Sequence, residues 1–289
     1  NKGYAISNPF LININGKKQY GMLLFIKLFL RFFAVHLVCD FMLQTDKFCE
    51  NKRFSSWQLY IHAFIVGLFS WIVLYSPGIL LESVLCASLI GASHLLFDGV
   101  KSMLANRFKE KITDNDKLAD AQFNAFCVDQ VLHIIVLIIA ASIFLLYCKD
   151  DWKTCDLEFY SVDKLILLFV GSYLCCKPSN ITIKLFLEKY KIGSSLAKSD
   201  TDSSEESERK FRIQNAGHII GSLERLLCFV SILVGHIDII GFLIAAKSIL
   251  RFKDNNAETQ TEYVLVGTLM SFGMAIVIGF LTNKCMLML

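Results

Sequence analysis

The chain has 289 residues, of which 54% are hydrophobic and only three are proline, and its formal net charge at pH 7 is +3. Its mean hydropathy of +0.51 excludes a soluble globular domain, and no nucleic-acid partner is expected. We therefore expect a polytopic membrane protein whose partner is the lipid bilayer.

The predicted elements are apolar runs that are long enough, or nearly so, to cross a bilayer as helices. In chain order they occupy about 22–43, 57–75, 80–104, 123–147, 163–176, 217–235, 237–252 and 263–282. Helices satisfy their backbone hydrogen bonds internally, which lipid requires. The predicted fold is an all-α integral membrane bundle of seven or eight transmembrane helices.

Lysine and arginine are distributed unevenly between alternate loops. If the N-terminus is outside and all eight runs span, the inside loops hold 18 of these residues and the outside segments hold 7. The positive-inside rule then places both termini outside. The inside loop 44–56 is polar and is expected to be a solvated connector.

A serine-rich and acidic stretch, 193–212, is predicted to be a flexible linker. It separates an N-terminal membrane bundle, 22–192, from C-terminal membrane helices, 213–289. Residues 1–21 are expected to be an upstream extension, because the first apolar run begins at Met22.

Ionisable side chains recur in the first four apolar runs, where each costs roughly 2.5–3.5 kcal/mol at mid-membrane depth. Three runs contain a histidine and an aspartate four residues apart, which places both on one face of a helix. These pairs, with one further histidine, are His36 and Asp40, His94 and Asp98, Asp129 and His133, and His62. Gln44 would extend the stripe of the first helix by one turn. All of them are expected at the inner side, which predicts one polar cluster shared by four helices.

Imidazole and carboxylate groups presented from helices are a common way to hold a divalent metal ion. The expected metal ligands are His36, His62, His94, Asp129 and His133, and zinc is the favoured ion. The expected catalytic residues are Asp40, Asp98 and Lys101. Either of the two aspartates would act as a general base. The alternative is that the pairs only hold helices together, at about 0.6 kcal/mol per contact.

Charged residues also occur in the C-terminal runs. Arg225, Lys247 and Arg251 are predicted to form a basic pocket that binds an anionic lipid or a phosphorylated substrate. The alternative is an ion pair between helices, in which Glu224 is the partner of Lys247 or Arg251.

The three His/Asp motifs, together with Lys101 and Gln130, resemble those of an uncharacterised family of bacterial polytopic membrane proteins, known as a domain of unknown function. The resemblance covers about residues 22–147 and implies a location in the bacterial inner membrane, without an activity. A looser similarity links the same histidines and aspartates to metal-dependent membrane hydrolases.

These expectations lead to one main hypothesis and two alternatives. The main hypothesis is a metal-dependent membrane hydrolase that acts on a lipid-linked or phosphorylated substrate from the inner side. The first alternative is a carrier in which the cluster binds a cation or relays protons. The second is a non-enzymatic membrane subunit of a larger system, with Lys177 to Arg212 as its contact surface.

Overall fold

In a computed structural model of the chain, the described residues are 9–44, 52–75, 79–147, 160–190, 204–251 and 258–289. Side chains are described within 21–44, 52–75, 79–147, 162–190, 217–249 and 265–289. The described residues form α-helices and one π-helical turn, and no β-strand occurs among them. The predicted all-α fold is confirmed.

The helices are named here in chain order. They are α1 (Pro9–Leu37), the π-helical turn (Val38–Met42), α2 (Trp57–Leu74), α3 (Leu80–Lys111), α4 (Asn115–Tyr147), α5 (Tyr160–Leu174), α6 (Lys177–Lys189), α7 (Ser204–Val234), α8 (Asp238–Arg251) and α9 (Glu258–Met288).

Seven segments of the described residues are long and apolar enough to cross a membrane, which makes the chain a multi-pass membrane protein. One of them, Val162–Lys189, extends beyond the predicted fifth run, because α6 follows α5 after a two-residue turn. The predicted seventh run forms α8, which has 14 residues and is therefore about 21 Å long. The hydrocarbon core is roughly 30 Å thick, so α8 is short for a crossing. The eight crossings assumed for the predicted orientation are therefore not found among the described residues.

Individual residues account for where several helices begin or end. Pro178 occupies the first turn of α6, where its missing N–H is not needed for the helix. Gly235 ends α7 with a φ of +86°, a left-handed conformation that favours glycine. Helix α7 begins at Ser204, so the second half of the predicted linker 193–212 is helical. The first half of that linker lies outside the described residues.

The chain divides into two compact units. Within the described residues, the first unit contains α1, the π-helical turn, α2, and the parts of α3, α4 and α5 that lie within 80–100, 130–147 and 160–166. Its core consists of apolar side chains from α1 to α4, including Leu28, Phe32, Val66, Ile90 and Leu137. The second unit contains the remaining parts of α3, α4 and α5 with α6 to α9, and has its own core around Cys228, Ile232 and Phe272.

Helices α2 and α3 approach each other closely where two glycines meet. A Cβ on Gly91 would lie 3.1 Å from the carbonyl oxygen of Ala63 and 3.3 Å from the Cα of Gly67. The absence of side chains at these two positions therefore sets the distance between the helices that carry His62 and His94.

A buried ion pair joins α1 to α5 within the first unit. The Nε and Nη2 atoms of Arg31 lie 3.0 and 2.9 Å from Oδ1 of Asp163, and Nζ of Lys27 lies 3.4 Å from Oδ2. The side chain of Asp163 is fully buried. This carboxylate thus compensates two cations of the first transmembrane helix.

Candidate metal centre

Six of the residues singled out in the sequence come together in the first unit. The π-helical turn and α1 contribute one aspartate and one histidine, α2 and α4 contribute one histidine each, and α3 contributes one of each kind. They are His36, Asp40, His62, His94, Asp98 and His133. We call this set the His/Asp cluster. Its four histidines and Asp98 are buried, and the side chain of Asp40 is only 10% exposed.

Asp40 contacts three imidazoles. Its Oδ1 lies 2.9 Å from Nε2 of His94 and 3.2 Å from Nε2 of His62. Its Oδ2 lies 3.7 Å from Nδ1 of His36. One carboxylate therefore connects histidines from α1, α2 and α3.

Asp98 connects the other side of the cluster. Its Oδ1 lies 3.6 Å from Nε2 of His133, and its Oδ2 lies 3.4 Å from Nε2 of His62. The ammonium group of Lys52 donates a hydrogen bond to the same Oδ2. Lys52 precedes α2 and is only 6% exposed, so the expectation of a solvated connector is wrong for this residue.

Three overlapping groups within the cluster have ligand atoms that all lie within 4.8 Å of one another. The groups are His36, His94 and His133; Asp40, His62 and His94; and Asp40, Asp98 and His133. Ligand atoms bound at about 2.1 Å to one tetrahedral ion lie about 3.4 Å apart. The observed spacing would accommodate a metal ion after small side-chain adjustments.

The π-helical turn positions Asp40. The backbone N–H of Leu43 donates to the carbonyl oxygen of Val38 at 2.9 Å, which is the i to i−5 bond of a π-helix. Such turns are frequent at functional sites. Because the helix ends here, Gln44 does not continue a helical stripe as predicted. Its amide nitrogen instead lies 2.9 and 2.7 Å from the two ring nitrogens of His62.

Gln130 gives the cluster a second amide contact. Its Oε1 lies 3.4 Å from Nε2 of His36, on the side of the ring opposite to Asp40. Partners of this kind fix the orientation of a ligating imidazole. Gln44 and Gln130 therefore orient two of the four histidines from outside the ligand groups.

The structure places Asp129 and Lys101 in contact with each other. Nζ of Lys101 lies 2.6 Å from Oδ2 of Asp129, and Asp129 occurs in none of the three ligand groups of the described residues. The metal-ligand role predicted for Asp129 stays a prediction. Asp98 is the carboxylate that accompanies His133.

Arg225 is 2% exposed and is surrounded by hydrogen-bond acceptors. Its Nε donates to the carbonyl oxygen of Cys175 at 2.5 Å and its Nη1 to Oγ of Ser271 at 2.8 Å. Its Nη2 donates to Oδ1 of Asn180 and, at 3.2 Å, to Oγ of Ser222. Arg225 thus links α7, α9 and the turn between α5 and α6.

The other two basic residues of the predicted pocket are Lys247 and Arg251. Nζ of Lys247 lies 2.5 Å from Oε2 of Glu224, the ion pair given above as the alternative. The side chain of Arg251 lies outside the described residues. Arg225 and Lys247 bind different partners, and the basic pocket predicted from Arg225, Lys247 and Arg251 stays a prediction.

Comparison with protein families identifies the part of the chain that contains the cluster. Residues 28–158 match the family DUF3307, described as a protein of unknown function. This confirms the expected resemblance to an uncharacterised family and attaches no activity to it. No curated protein and no solved structure gives a significant match to the chain.

Proposed function

We propose that this chain binds a divalent metal ion and is a membrane hydrolase. Its membrane domain of unknown function contains the buried His/Asp cluster, which is the basis of the proposal. Zinc is the favoured ion, since imidazole and carboxylate are its usual ligands alongside cysteine. The substrate is a lipid-linked or phosphorylated molecule that approaches from the inner side of a bacterial cytoplasmic membrane.

The observation that carries the proposal is the convergence of six potential ligands whose side chains are at most about 10% exposed. Asp40 and Asp98 contribute two negative charges, and Lys52 contributes one positive charge. With neutral imidazoles, the site has one uncompensated negative charge, which is costly within a membrane. A bound divalent cation would compensate this negative charge.

The residues of the cluster suit the roles of ligand and base. His36, His94 and His133 would hold the ion, with His62 joining from the side of Asp40. The ion held by these residues would supply Lewis-acid chemistry, which lowers the pKa of a coordinated water. Asp40 or Asp98, whichever is not a ligand, would accept the proton of that water.

Metal analysis of the detergent-purified protein tests this proposal. We expect the wild type to retain a divalent metal ion and His94→Ala to lose it, because His94 belongs to two of the three ligand groups. His236→Ala is the matched control, since His236 lies in an exposed turn with its side chain 65% exposed. A wild type that is purified without metal and does not bind added Zn²⁺ would refute the proposal.

A double variant separates a metal site from helix-joining pairs. Replacing both members of a structural pair by apolar residues of similar size can be nearly neutral for stability, because both buried polar groups leave together. We therefore expect His94→Leu combined with Asp98→Leu to insert normally but to lose bound metal and the cellular phenotype of the wild type. Retention of that phenotype at normal expression would rule out a catalytic role for this site.

A further inference from the structure

We propose that Lys52 is the anion-binding residue of the metal centre and that the group it binds is a phosphate. This inference rests on the proposed function. It assigns recognition of the substrate to a residue in direct contact with the His/Asp cluster, and not to the basic pocket predicted in the C-terminal helices.

Lys52 is in direct contact with the His/Asp cluster. Its Nζ donates to Oδ2 of Asp98, and the same oxygen lies 3.4 Å from Nε2 of His62. Within the described residues, Lys52 forms an ion pair with Asp98, a carboxylate of the cluster. The ammonium of lysine has three donors, and Asp98 uses one of them. A ligand of the metal centre would therefore meet this ammonium within the site.

The charge balance indicates the sign of that ligand. Asp40, Asp98 and Lys52 together have a formal charge of −1. A divalent ion changes this to +1, so the loaded site is complementary to an anion. Metal ions and lysines act together on phosphoryl groups in this way, because both stabilise the negative charge on the phosphate oxygens.

Residues 52–56, the described end of the connector before α2, are held against α3. The ring of Phe54 lies over Gly99, where a Cβ would meet it at 2.3 Å. The hydroxyl of Tyr60 donates to the carbonyl oxygen of Phe54 at 2.9 Å. Phe54, two residues after Lys52, is thus held in place near the start of α2, where exposed Trp57 is suited to the membrane interface. Phosphate groups of lipids occupy that same level of the bilayer.

Binding of phosphate to the Mn²⁺-loaded protein tests the inference. Bound Mn²⁺ broadens the ³¹P signal of a nearby phosphate, and the probes are inorganic phosphate and phosphatidate in detergent micelles. We expect Lys52→Met to retain Mn²⁺ but to bind the broadened probe at least about 10-fold more weakly, because one charge-assisted contact is lost. Lys52→Arg should restore most of the affinity. Broadening of phosphatidate alone would identify a lipid headgroup, and broadening of inorganic phosphate would identify a soluble phosphate.

Lys189→Met is the matched control, because Nζ of Lys189 also lies near a carboxylate, 3.6 Å from Oδ1 of Asp120, which is not a member of the cluster. It should leave both metal and phosphate binding unchanged. Unchanged broadening in Lys52→Met would overturn the inference, and so would loss of Mn²⁺ from that variant, which would show that Lys52 serves only to support Asp98. A wild type that binds Mn²⁺ but broadens neither probe would overturn the inference alone. A wild type that binds no metal ion would overturn the proposed function with it.

Discussion

Single buried residues in the first unit show how charge is accommodated inside a membrane protein. Asp98 and Asp163 are both buried, and each accepts hydrogen bonds from a basic side chain, Lys52 or Arg31. The attraction within such a pair is largely offset by the cost of desolvation. Removing one partner is much more damaging than the pair is stabilising, because the remaining charge stays buried.

Asp163→Asn is the residue-scale prediction. The substitution leaves Arg31 and Lys27 in the protein interior without their carboxylate. We expect it to reduce the free energy of unfolding by about 3–5 kcal/mol, which is the usual effect of breaking a buried ion pair. The measurement is thermal unfolding of the detergent-purified variant beside the wild type.

Asp120→Asn is its control, since the side chain of Asp120 is 53% exposed while it lies 3.6 Å from Lys189. The change in stability should be below about 1 kcal/mol, as for other exposed ion pairs. Equal destabilisation by the two substitutions would show that burial does not determine how much Asp163 contributes to the free energy of unfolding.

At the scale of elements, two local features set the geometry of the His/Asp cluster. The π-helical turn at the end of α1 directs Asp40 toward His62 and His94. The contact between Gly67 and Gly91 determines how far α2 stands from α3. The positions of the potential ligands therefore depend on the π-helical turn and on the two glycines, Gly67 and Gly91.

Gly91→Leu tests the second feature. The added side chain would meet the carbonyl oxygen of Ala63, which lies 3.1 Å from the position of the Cβ, and backbone atoms cannot move aside cheaply. We expect α2 to be displaced from α3, so that His62 and His94 no longer share a ligand group and bound metal falls. Metal content and the temperature of unfolding are the two measurements.

Gly273→Leu is the corresponding control in α9, where an added Cβ meets nothing within 4 Å. It should leave both measurements close to the wild-type values. Full metal occupancy in Gly91→Leu would show that the spacing of α2 and α3 does not control the site.

At the scale of the whole molecule, topology follows from charge and from span length. Two candidate spans, Asn115–Tyr147 and Val162–Lys189, lie between the turn 112–114 and the segment 191–203. An even number of crossings returns the chain to its starting side. Both of these segments are therefore expected on the basic, inner side of the membrane.

Reporter fusions test this topology. Fusions at Asn115 and at Ser203 should both give the cytoplasmic signal. A fusion after Met288 should also give the cytoplasmic signal. Helix α8 has 14 residues and is too short to add an eighth crossing, so seven crossings from an outside N-terminus end on the inner side. A periplasmic signal at Asn115 would contradict the expected inner-side depth of the histidines, whereas one after Met288 alone would show that α8 and its neighbours complete a crossing.

Composition and residue spacing were sufficient to predict the helical membrane fold and most residues of the His/Asp cluster. The apolar runs predicted the candidate spans because backbone hydrogen bonding in lipid allows few structures other than helices. The spacing of four residues selected His36 with Asp40 and His94 with Asp98, because ionisable residues at membrane depth require partners inside the protein. Both inferences depend on local composition and periodicity, which need no knowledge of tertiary contacts.

The partner of each buried charge, in contrast, depends on how the helices pack and could not be predicted from residue spacing. Asp129 has the same spacing to His133 as the other pairs, yet it contacts Lys101, since helix spacing does not specify the facing residue. Lys52 lies in a polar connector and no periodicity distinguishes it, but the fold buries it against Asp98. Asp163 is 132 residues from Arg31 in sequence, and their contact is equally invisible there. Such pairs form where helices distant in the chain meet, because the packing of those helices brings the charges together.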